Sequence, residues 1–425
     1  MKNNNIIFSL ILLTFSIFYL AVIIFQNRSL YLKKFNFEAT KRQYDQSQWQ
    51  QSQNISPIKE LDAWALRKGY TGWNNYVDEN KMKQDTEKVK DDIMNSIRKK
   101  GVSDATLYTY VGYEYVNGKD PTLLNPEHPP LGKYLIGLSI RIFNNENIIL
   151  LVFGFITLVT VFTIVLLSSQ SYLASSFSVF LTATHSLFVD QLIHGPQLEL
   201  FQLTFFLLLI LMLMLFENKR KARFLILSAF FLGCLLSVKT FATHFVLFAM
   251  WLFILTFFSK RFKLKKWLLL HVGGVLFFIS SYAVFFIKGG NFRQWLGVQK
   301  YIVVFYKQAG INMIEFLGNY LRLIFTGSWK FWSDNTPISH YSEWSFTWSI
   351  IFILTIFIII KIVRQKDKND VSFLEWMLVS FITIYNLYLF IIPMFPRYLL
   401  LLFVPMIILI SIHFNAKINY ENSKK

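Results

Sequence analysis

Residues 148–168 read IILLVFGFITLVTVFTIVLLS, and this stretch contains no charged side chain. A helix needs about 20 apolar residues to cross the hydrocarbon of a bilayer, so the stretch predicts a membrane span. The whole chain has the same character, because 54% of its 425 residues are hydrophobic and only 16% are charged. Long apolar runs without alternation predict helices rather than a transmembrane barrel.

Similar apolar runs recur along the chain and predict an all-α polytopic membrane protein with about ten transmembrane helices. The predicted spans cover residues 6–25, 148–168, 172–191, 199–216, 223–238, 240–258, 267–287, 347–363, 372–393 and 397–415. Three short loops, 219–223, 260–266 and 361–368, are rich in Lys and Arg, and loops of this kind stay in the cytoplasm. The pattern therefore predicts cytoplasmic N- and C-termini and a multi-pass protein of the plasma or inner membrane.

This orientation leaves two large loops outside the membrane, each expected to carry juxtamembrane helices. The predicted organisation is a first transmembrane helix (1–25), a first outer loop (26–147), helices two to seven (148–287), a second outer loop (288–345), helices eight to ten (346–415) and a tail (416–425). The first span follows Met1 and Lys2 without a later small-residue cleavage site, which predicts a retained anchor. Amphipathic patterns at 79–100 and 291–325 account for the expected surface helices.

The net charge of +18 does not indicate nucleic acid as a partner. Many basic residues stand in short loops between apolar runs, where they determine topology and contact lipid headgroups. Cys234 is the single cysteine of the chain, so no intrachain disulfide is possible. The composition thus indicates the lipid bilayer as a partner and no nucleic acid.

The stretch NPEHPPLGKYLIG (125–137) stands where the chain returns to the membrane. Pro129 and Pro130 favour an extended segment, after which a helix is expected to begin near Leu131. His128 and Lys133 would then lie close to a helix N-terminus, which can bind an anion such as a lipid-linked phosphate. The alternative is a rigid turn with a lysine that reaches toward the membrane surface.

The residues HPPLGKYLI (128–136) resemble the first-loop motif of the protein O-mannosyltransferases, the dolichyl-phosphate-mannose-protein mannosyltransferase family of GT-C glycosyltransferases. The aminoarabinose transferases carry a related proline pair and lysine. The order of spans and outer loops is similar as well, whereas the rest of the chain matches only in pattern. The resemblance implies a GT-C fold and an enzyme that takes a sugar from a polyprenyl phosphate outside the cytoplasm.

The resemblance also implies a catalytic base in the first outer loop, shortly before HPPL. Asp104, in SDATLYTYVGYEYVNGKDP (103–121), is the best match and starts an expected short helix. Its alternative role is a first-turn carboxylate favoured by the helix dipole, behind Ser103 as N-cap. Relatives place the acid nearer to the first span, which keeps Asp78 and Glu79 as alternatives.

Two more stretches resemble family positions that hold the donor phosphate. Lys239, in LGCLLSVKTFATHF (232–245), ends a span at the outer side. Arg397, in FPRYLLLLFVP (395–405), opens a late span and could grip phosphate with two nitrogens. Their alternative role is to anchor the helices at the membrane interface. With His128 and Lys133 they form the expected phosphate-binding set.

Glu199 and His194, in HGPQLELFQLTFF (194–206), are candidates for acceptor binding or for a metal site. Several relatives carry an acid near this point, and a divalent cation needs several converging ligands. A helix-start acid favoured by the dipole is the alternative reading for Glu199. The prediction is that either no cofactor or a divalent cation is needed.

The stretch GSWKFWSDNTPISHYSEWSFTW (327–348) is rich in tryptophan. An aromatic belt at the membrane interface is one interpretation, and contacts with the sugar or the acceptor are another. The residues concerned are Trp329, Trp332, His340 and Trp344.

These observations predict a glycosyltransferase that moves a sugar, mannose or another hexose or pentose, from polyprenyl phosphate to a hydroxyl with inversion. The acceptor is a protein, a lipid or a glycan. One alternative is a lipid flippase or transporter, which would need ionisable residues deep in its spans. Another is a glycan polymerase or ligase that uses a diphosphate donor.

Overall fold

The computed structural model describes residues 2–45, 103–239, 241–259, 263–308, 317–330, 338–365 and 371–423. Within these ranges the chain is almost entirely helical. The amphipathic helix predicted at 79–100 lies outside the described residues.

The N-terminal half contains a long first helix, short helices that follow it, and a set of apolar helices. The elements are α1 (Lys2–Gln26), α2 (Arg28–Leu32), α3 (Phe37–Asp45), α4 (Asp104–Val116), α5 (Leu131–Phe143), α6 (Ile148–Ser169), α7 (Tyr172–Thr184), α8 (Ser186–Ile193), α9 (Glu199–Lys219) and α10 (Ala222–Leu236).

The C-terminal half continues the bundle and adds one small hairpin. The elements are α11 (Phe241–Ser259), α12 (Leu264–Ser280), α13 (Ala283–Ile287), α14 (Phe292–Gln308), α15 (Asn319–Thr326), β1 (Ser328–Lys330), β2 (Ile338–His340), α16 (Thr347–Arg364), α17 (Phe373–Ile391), a 3-10 helix (Pro396–Leu399) and α18 (Leu400–Ser423).

Each predicted span coincides with one helix or with two consecutive helices, but fewer helices meet the length and composition needed to cross a membrane. Six do so within the described residues, or seven if the bent pair α7 and α8 forms one span. Two further apolar stretches, Ala222–Leu236 of α10 and Thr243–Phe257 of α11, are shorter within the described residues. The all-α polytopic architecture is therefore confirmed, whereas the count of ten spans is not.

The antiparallel pairing of β1 and β2 is a departure from the all-helical expectation. Ser328 lies opposite His340, and Lys330 lies opposite Ile338. Gly327, with φ of +71°, ends α15 immediately before the hairpin. A left-handed residue of this kind turns the chain out of a helix, and glycine adopts it without steric cost.

Helix α9 is the centre of the bundle. It packs against α6, α10, α17 and α18, and 83% of its most apolar 18-residue stretch is buried. A helix that is apolar on all sides belongs either in a protein core or in the hydrocarbon of a membrane, and α9 takes the first of these positions. Helix α1 differs, because only 11% of its most apolar 18-residue stretch is buried. Its main packing partner is α7.

Helices α4 and α5 cross at a pair of glycines. A Cβ atom on Gly137 would lie 2.0 Å from the backbone oxygen of Gly112, and a Cβ on Gly112 would lie 2.5 Å from the backbone oxygen of Lys133. Side chains at either position would force the two backbones apart. This crossing fixes the helix that carries Asp104 to the helix that follows the proline motif.

The segment after α1 is attached to the turn between α5 and α6. Asn145 donates hydrogen bonds to the backbone oxygens of Leu30 (2.8 Å) and Lys33 (2.7 Å). Phe35 donates its backbone N–H to Asn144 at 2.8 Å. The segment that follows α1 is therefore held on the α4–α5 layer.

Replacing Gly137 by alanine should lower the stability of the folded protein, because the new methyl group meets backbone rather than a movable side chain. Overpacking of this kind costs about 1–3 kcal/mol. Thermal unfolding in detergent measures the effect, and Leu138→Ala on the same helix is the control, since Leu138 is 43% exposed. Equal melting temperatures for Gly137→Ala and the native chain would contradict the crossing.

Candidate active site

Three segments far apart in sequence bring their polar residues to one end of the bundle. Helix α9 begins at Glu199, α10 ends shortly before Lys239, and the 3-10 helix before α18 carries Arg397. Because α9 and α10 run antiparallel, the start of one and the end of the other share the same end. Helix α9 finishes at Lys219, so the basic loop 219–223 lies at the opposite end of the bundle.

Four charged side chains form one continuous chain of ion pairs. Lys239 Nζ lies 2.5 Å from Glu199 Oε1, and Arg397 Nε lies 2.9 Å from the same oxygen. Arg397 Nη2 contacts Asp104 Oδ2. Two carboxylates and two cations thus balance each other, and this balance allows them to be buried.

The members of this ion chain differ in exposure. The side chains of Glu199 and Lys239 are each 6% exposed, whereas that of Asp104 is 40% exposed. Asp104 is therefore the carboxylate that a molecule outside the bundle can reach. Glu199 contacts two cations from within.

Asp104 is placed by the start of α4. The Ser103 hydroxyl accepts a hydrogen bond from the Thr106 amide at 3.2 Å, which is the N-cap expected from the sequence. Gly195, with φ of +87°, lies against Ala105, and Gln197 accepts a hydrogen bond from Arg397 Nη1 at 3.2 Å. The loop before α9 therefore supports both Asp104 and its arginine partner.

Lys133 is engaged inside the proline motif. Its ammonium donates hydrogen bonds to the backbone oxygens of Asn125 (2.6 Å) and His128 (2.8 Å) and to Asn125 Oδ1 (3.0 Å). The residue is fully buried. Burial lowers the pKa of Lys133 and raises that of the Glu127 carboxyl, whose Oε2 accepts a bond from Asn125. Through these contacts Lys133 holds the loop of residues 125–128 in place.

The same motif also contacts the chain next to the ion pairs. Leu131 donates its backbone N–H to the Ser237 oxygen at 2.9 Å. A Cβ on Gly132 would lie 2.6 Å from Leu198 and 3.2 Å from Val238, the residues before Glu199 and Lys239. The motif therefore holds the two segments that carry the buried ion pair.

His128 belongs to the motif and lies near the cations of the site. Burial lowers the pKa of its imidazole well below the ordinary value, and the positive charges of Lys239, Lys133 and Arg397 lower it further. The ring is consequently neutral at physiological pH. It can act as a hydrogen-bonding group and not as a fixed cation.

A small cavity of about 40 Å³ opens beside the ion pairs. Sequence reasoning missed most of its lining, which comes from α9, α11, α17 and α18. The lining residues are Glu199, Gln202, Lys239, His244, Tyr385, Tyr388, Ile392, Arg397, Tyr398 and Leu401. The Lys239 ammonium also lies 4.2 Å from the centre of the Tyr398 ring, a distance that suits a cation–π contact.

His194 is engaged away from Glu199. Its Nδ1 lies 2.7 Å from Asp190 Oδ1, and its side chain is 49% exposed. The hydrogen bond to Asp190 raises the pKa of the imidazole. Within the described residues no group of three or more His, Cys, Asp or Glu side chains could hold a metal ion. Whether a divalent cation acts here stays an open part of the prediction.

The aromatic stretch folds onto α15 and the hairpin. Trp344 donates its indole N–H to the Ile324 oxygen at 2.9 Å, and its ring lies 6.5 Å from that of His340. The centres of the Trp329 and Tyr341 rings lie 6.3 Å apart. The contact of these residues with a sugar or an acceptor stays a prediction. Three further candidates, Asp78, Glu79 and Trp332, lie outside the described residues.

A comparison with known protein families supplies an independent test of the resemblance. Residues 127–285 match the family model described as dolichyl-phosphate-mannose-protein mannosyltransferase. The family resemblance is confirmed. The matched segment begins inside the proline motif and includes Glu199 and Lys239. No curated protein matches the chain.

The match and the apolar helices together support a membrane glycosyltransferase of the GT-C type. The segment covered runs from Glu127 to the helix α13. It excludes Asp104 and Arg397, which the fold brings to the same place.

Glu199→Gln should destabilise the protein, because it leaves two buried cations with one carboxylate fewer. Removing one partner of a buried ion pair costs about 3–5 kcal/mol. Glu217→Gln on the same helix is the control, since Glu217 pairs with Arg220, whose side chain is 57% exposed and can be hydrated. Thermal unfolding should show a much larger loss for Glu199→Gln, and equal losses would contradict the buried network.

The pair of His194 and Asp190 should make stability depend on pH. Because the pKa of His194 is raised in the folded protein, its contact with Asp190 contributes its full stability at pH values below the ordinary imidazole pKa near 6.5. This contribution should be lost as pH rises through the folded pKa. Melting temperatures at about pH 6 and pH 8 measure it, and the pH-dependent part should disappear in His194→Gln. A variant with the native pH dependence would assign it to other groups.

Proposed function

We propose that this protein transfers a sugar from a polyprenyl-phosphate donor to a hydroxyl of a protein, lipid or glycan on the extracytoplasmic face. The single observation that carries the proposal is the ion chain of Asp104, Arg397, Glu199 and Lys239. It joins an exposed carboxylate to two cations at one end of the bundle. The family match over residues 127–285 supports the same reaction class.

Asp104 is the base in this proposal. A general base must lie within hydrogen-bond reach of the proton that it removes. Asp104 is the exposed residue among the four that form the ion pairs. Its contact with Arg397 holds the carboxylate in position before substrates bind. The acceptor hydroxyl would approach from the exposed side, lose its proton to Asp104 and attack the anomeric carbon.

Arg397 and Lys239 hold the leaving phosphate. Each is already paired with a carboxylate, so an incoming phosphate would share or replace these contacts. When phosphate takes the terminal nitrogens of Arg397, Asp104 is released from its pair and becomes free to accept a proton. Binding of the donor would therefore activate the base, and the cations would stabilise the charge that the phosphate gains.

The reaction breaks the bond between the anomeric carbon and the phosphate oxygen, and forms a bond to the acceptor oxygen. A direct displacement of this kind inverts the anomeric centre. Lys133 and His128 contribute indirectly, since the proline motif positions the segments of Glu199 and Lys239. The charged residues lie at the ends of the helices, which favours this reaction over a flippase that needs ionisable groups deep in its spans.

Asp104→Asn should lower the turnover of a polyprenyl-phosphate sugar by about 10²–10⁴-fold, the usual contribution of a general base. The assay follows release of labelled sugar, by transfer or slow hydrolysis, from protein reconstituted in lipid. Asp45→Asn is the control, since Asp45 is an exposed residue at the end of α3.

Full turnover by folded Asp104→Asn would assign the base to another acid, first to Asp78 or Glu79. No turnover by the native chain with any donor would contradict the transferase proposal. Movement of labelled lipid between leaflets would then identify a flippase, and turnover of diphosphate donors alone would identify a polymerase or ligase.

A further inference from the structure

A larger cavity, of about 470 Å³, lies at the other end of α4 from Asp104. Its walls come from the segment after α1, from the C-terminal end of α4 and from the C-terminal end of α5. Helix α4 has 13 residues, which separates its two ends by about 20 Å. The cavity is therefore remote from the ion pairs, and the proposed transfer reaction does not use it.

We propose that this cavity binds the headgroup of an anionic phospholipid, with Arg141 contacting the phosphate and the acyl chains lying in the bilayer. The proposal goes beyond the proposed function and does not depend on it. It assigns a lipid-binding site to the surface that α4, α5 and the segment after α1 form together.

The cavity stands where two membrane-crossing helices meet the bilayer surface. Helix α1 ends at Gln26, and Phe35 lines the cavity nine residues later. Helix α6 begins at Ile148, and Asn144 lines the cavity four residues earlier. The Phe35 N–H donates to the Asn144 oxygen at 2.8 Å and joins these two segments. Because the headgroup layer on each side of a bilayer is about 5–8 Å thick, a cavity this close to two span ends lies at the depth of phospholipid headgroups.

Exposed apolar side chains stand next to basic ones on both segments. Leu32 is 75% exposed and is followed by Lys33, while Ile142 is 61% exposed and follows Arg141. At a membrane surface, apolar side chains enter the acyl region and basic side chains contact the phosphates. This pattern suits a lipid, whose chains would lie beside the apolar residues, better than it suits a soluble anion.

Arg141 is the cation of the cavity lining. Its Nη1 donates to the Val116 oxygen at 3.3 Å, and it forms no ion pair with a described carboxylate. A guanidinium carries five N–H donors, so most of them remain for a ligand. Arginine commonly binds phosphate with two of these donors at once.

The charges around the cavity favour an anionic headgroup over a zwitterionic one. Among the described residues the lining contains Arg141 and no carboxylate. Lys33, Lys34 and Glu38, which are neighbours of the lining in sequence, add one further positive charge. The ammonium group of a zwitterionic headgroup would therefore find no carboxylate in the cavity.

The uncharged part of the lining suits a glycerol headgroup. The rings of Phe35 and Phe37 both pack on Tyr113, with ring centres 5.2 Å and 4.7 Å apart. Packed rings form a wall of fixed shape, against which the carbon atoms of glycerol can lie. The amide side chains of Asn117 and Asn144 also line the cavity and can bond the glycerol hydroxyls.

The test uses the full-length protein and three probes, which are phosphatidylglycerol, phosphatidylcholine and soluble glycerol phosphate. Thermal unfolding in detergent, with increasing amounts of each probe, gives the affinities. Hydrogen exchange in nanodiscs, with and without phosphatidylglycerol, reports the amides of residues 33–37 and 140–147. The variants are Arg141→Gln and the matched control Arg28→Gln, because Arg28 is also exposed after α1 but lies over the Phe25 ring, outside the lining.

Phosphatidylglycerol should raise the melting temperature of the native chain and slow exchange in both segments more than phosphatidylcholine does. Arg141→Gln should remove this protection and weaken the affinity for phosphatidylglycerol about ten-fold or more, as expected for loss of a charge-assisted hydrogen bond. Arg28→Gln should behave like the native chain. Arg141→Lys, which keeps the charge but not the paired donors, should fall between the two, and melting without added lipid shows that each variant is folded.

Four results would overturn the inference. The first three are equal protection by the two phospholipids, an unchanged affinity in Arg141→Gln, and equal weakening by both arginine variants, which would indicate general surface charge. The fourth is binding of glycerol phosphate as tightly as the intact lipid, because the cavity would then serve a free anion. None of these results bears on sugar transfer, so the proposed function stands or falls separately.

Discussion

The ion pairs that Glu199 makes with Lys239 and Arg397 are the constraint on which the rest of the site depends. A carboxylate and two cations are buried at the end of an apolar bundle, where each would be costly alone. These ion pairs fix the start of α9, the end of α10 and the start of the last described helix relative to one another, and Asp104 supplies the carboxylate that balances the second cation. The site is therefore also a structural joint.

The proline motif contacts the segments of Glu199 and Lys239 and so helps to hold the same ion pairs in place. Its lysine grips the loop through carbonyl oxygens, and its glycine allows close contact with Leu198 and Val238. A motif that looks in sequence like a phosphate ligand thus has a clear structural role. The two readings are compatible for His128, whose neutral ring lies near the cations.

Much of the fold followed from periodicity and composition. The apolar runs predicted the helices, Ser103 predicted the start of α4, and the proline pair predicted the start of α5 near Leu131. The count of ten membrane spans is not confirmed, because six helices, or seven with the bent pair, are long and apolar enough to cross within the described residues. The hairpin was missed, since three-residue strands leave almost no pattern.

The partners within the site could not be predicted. Resemblance supplied Asp104, Lys239 and Arg397 as candidates one by one, but nothing in the sequence pairs residues 104 and 397. Gln202 and Tyr385 were missed for a different reason. Each stands inside an apolar run, where a polar side chain looks the same whether it faces a cavity or a neighbouring helix.

The separation of Asp104 and Arg397 by 293 positions has a consequence for biosynthesis. Asp104 is synthesised early, while its arginine partner arrives only with the last described helix. Until that helix inserts, Glu199 and Lys239 face each other without the second cation, and Asp104 has no ion-pair partner at this joint. A nascent or truncated chain that lacks this helix therefore contains most of the bundle but not the complete chain of ion pairs, so the network forms only when the last described helix has joined the rest.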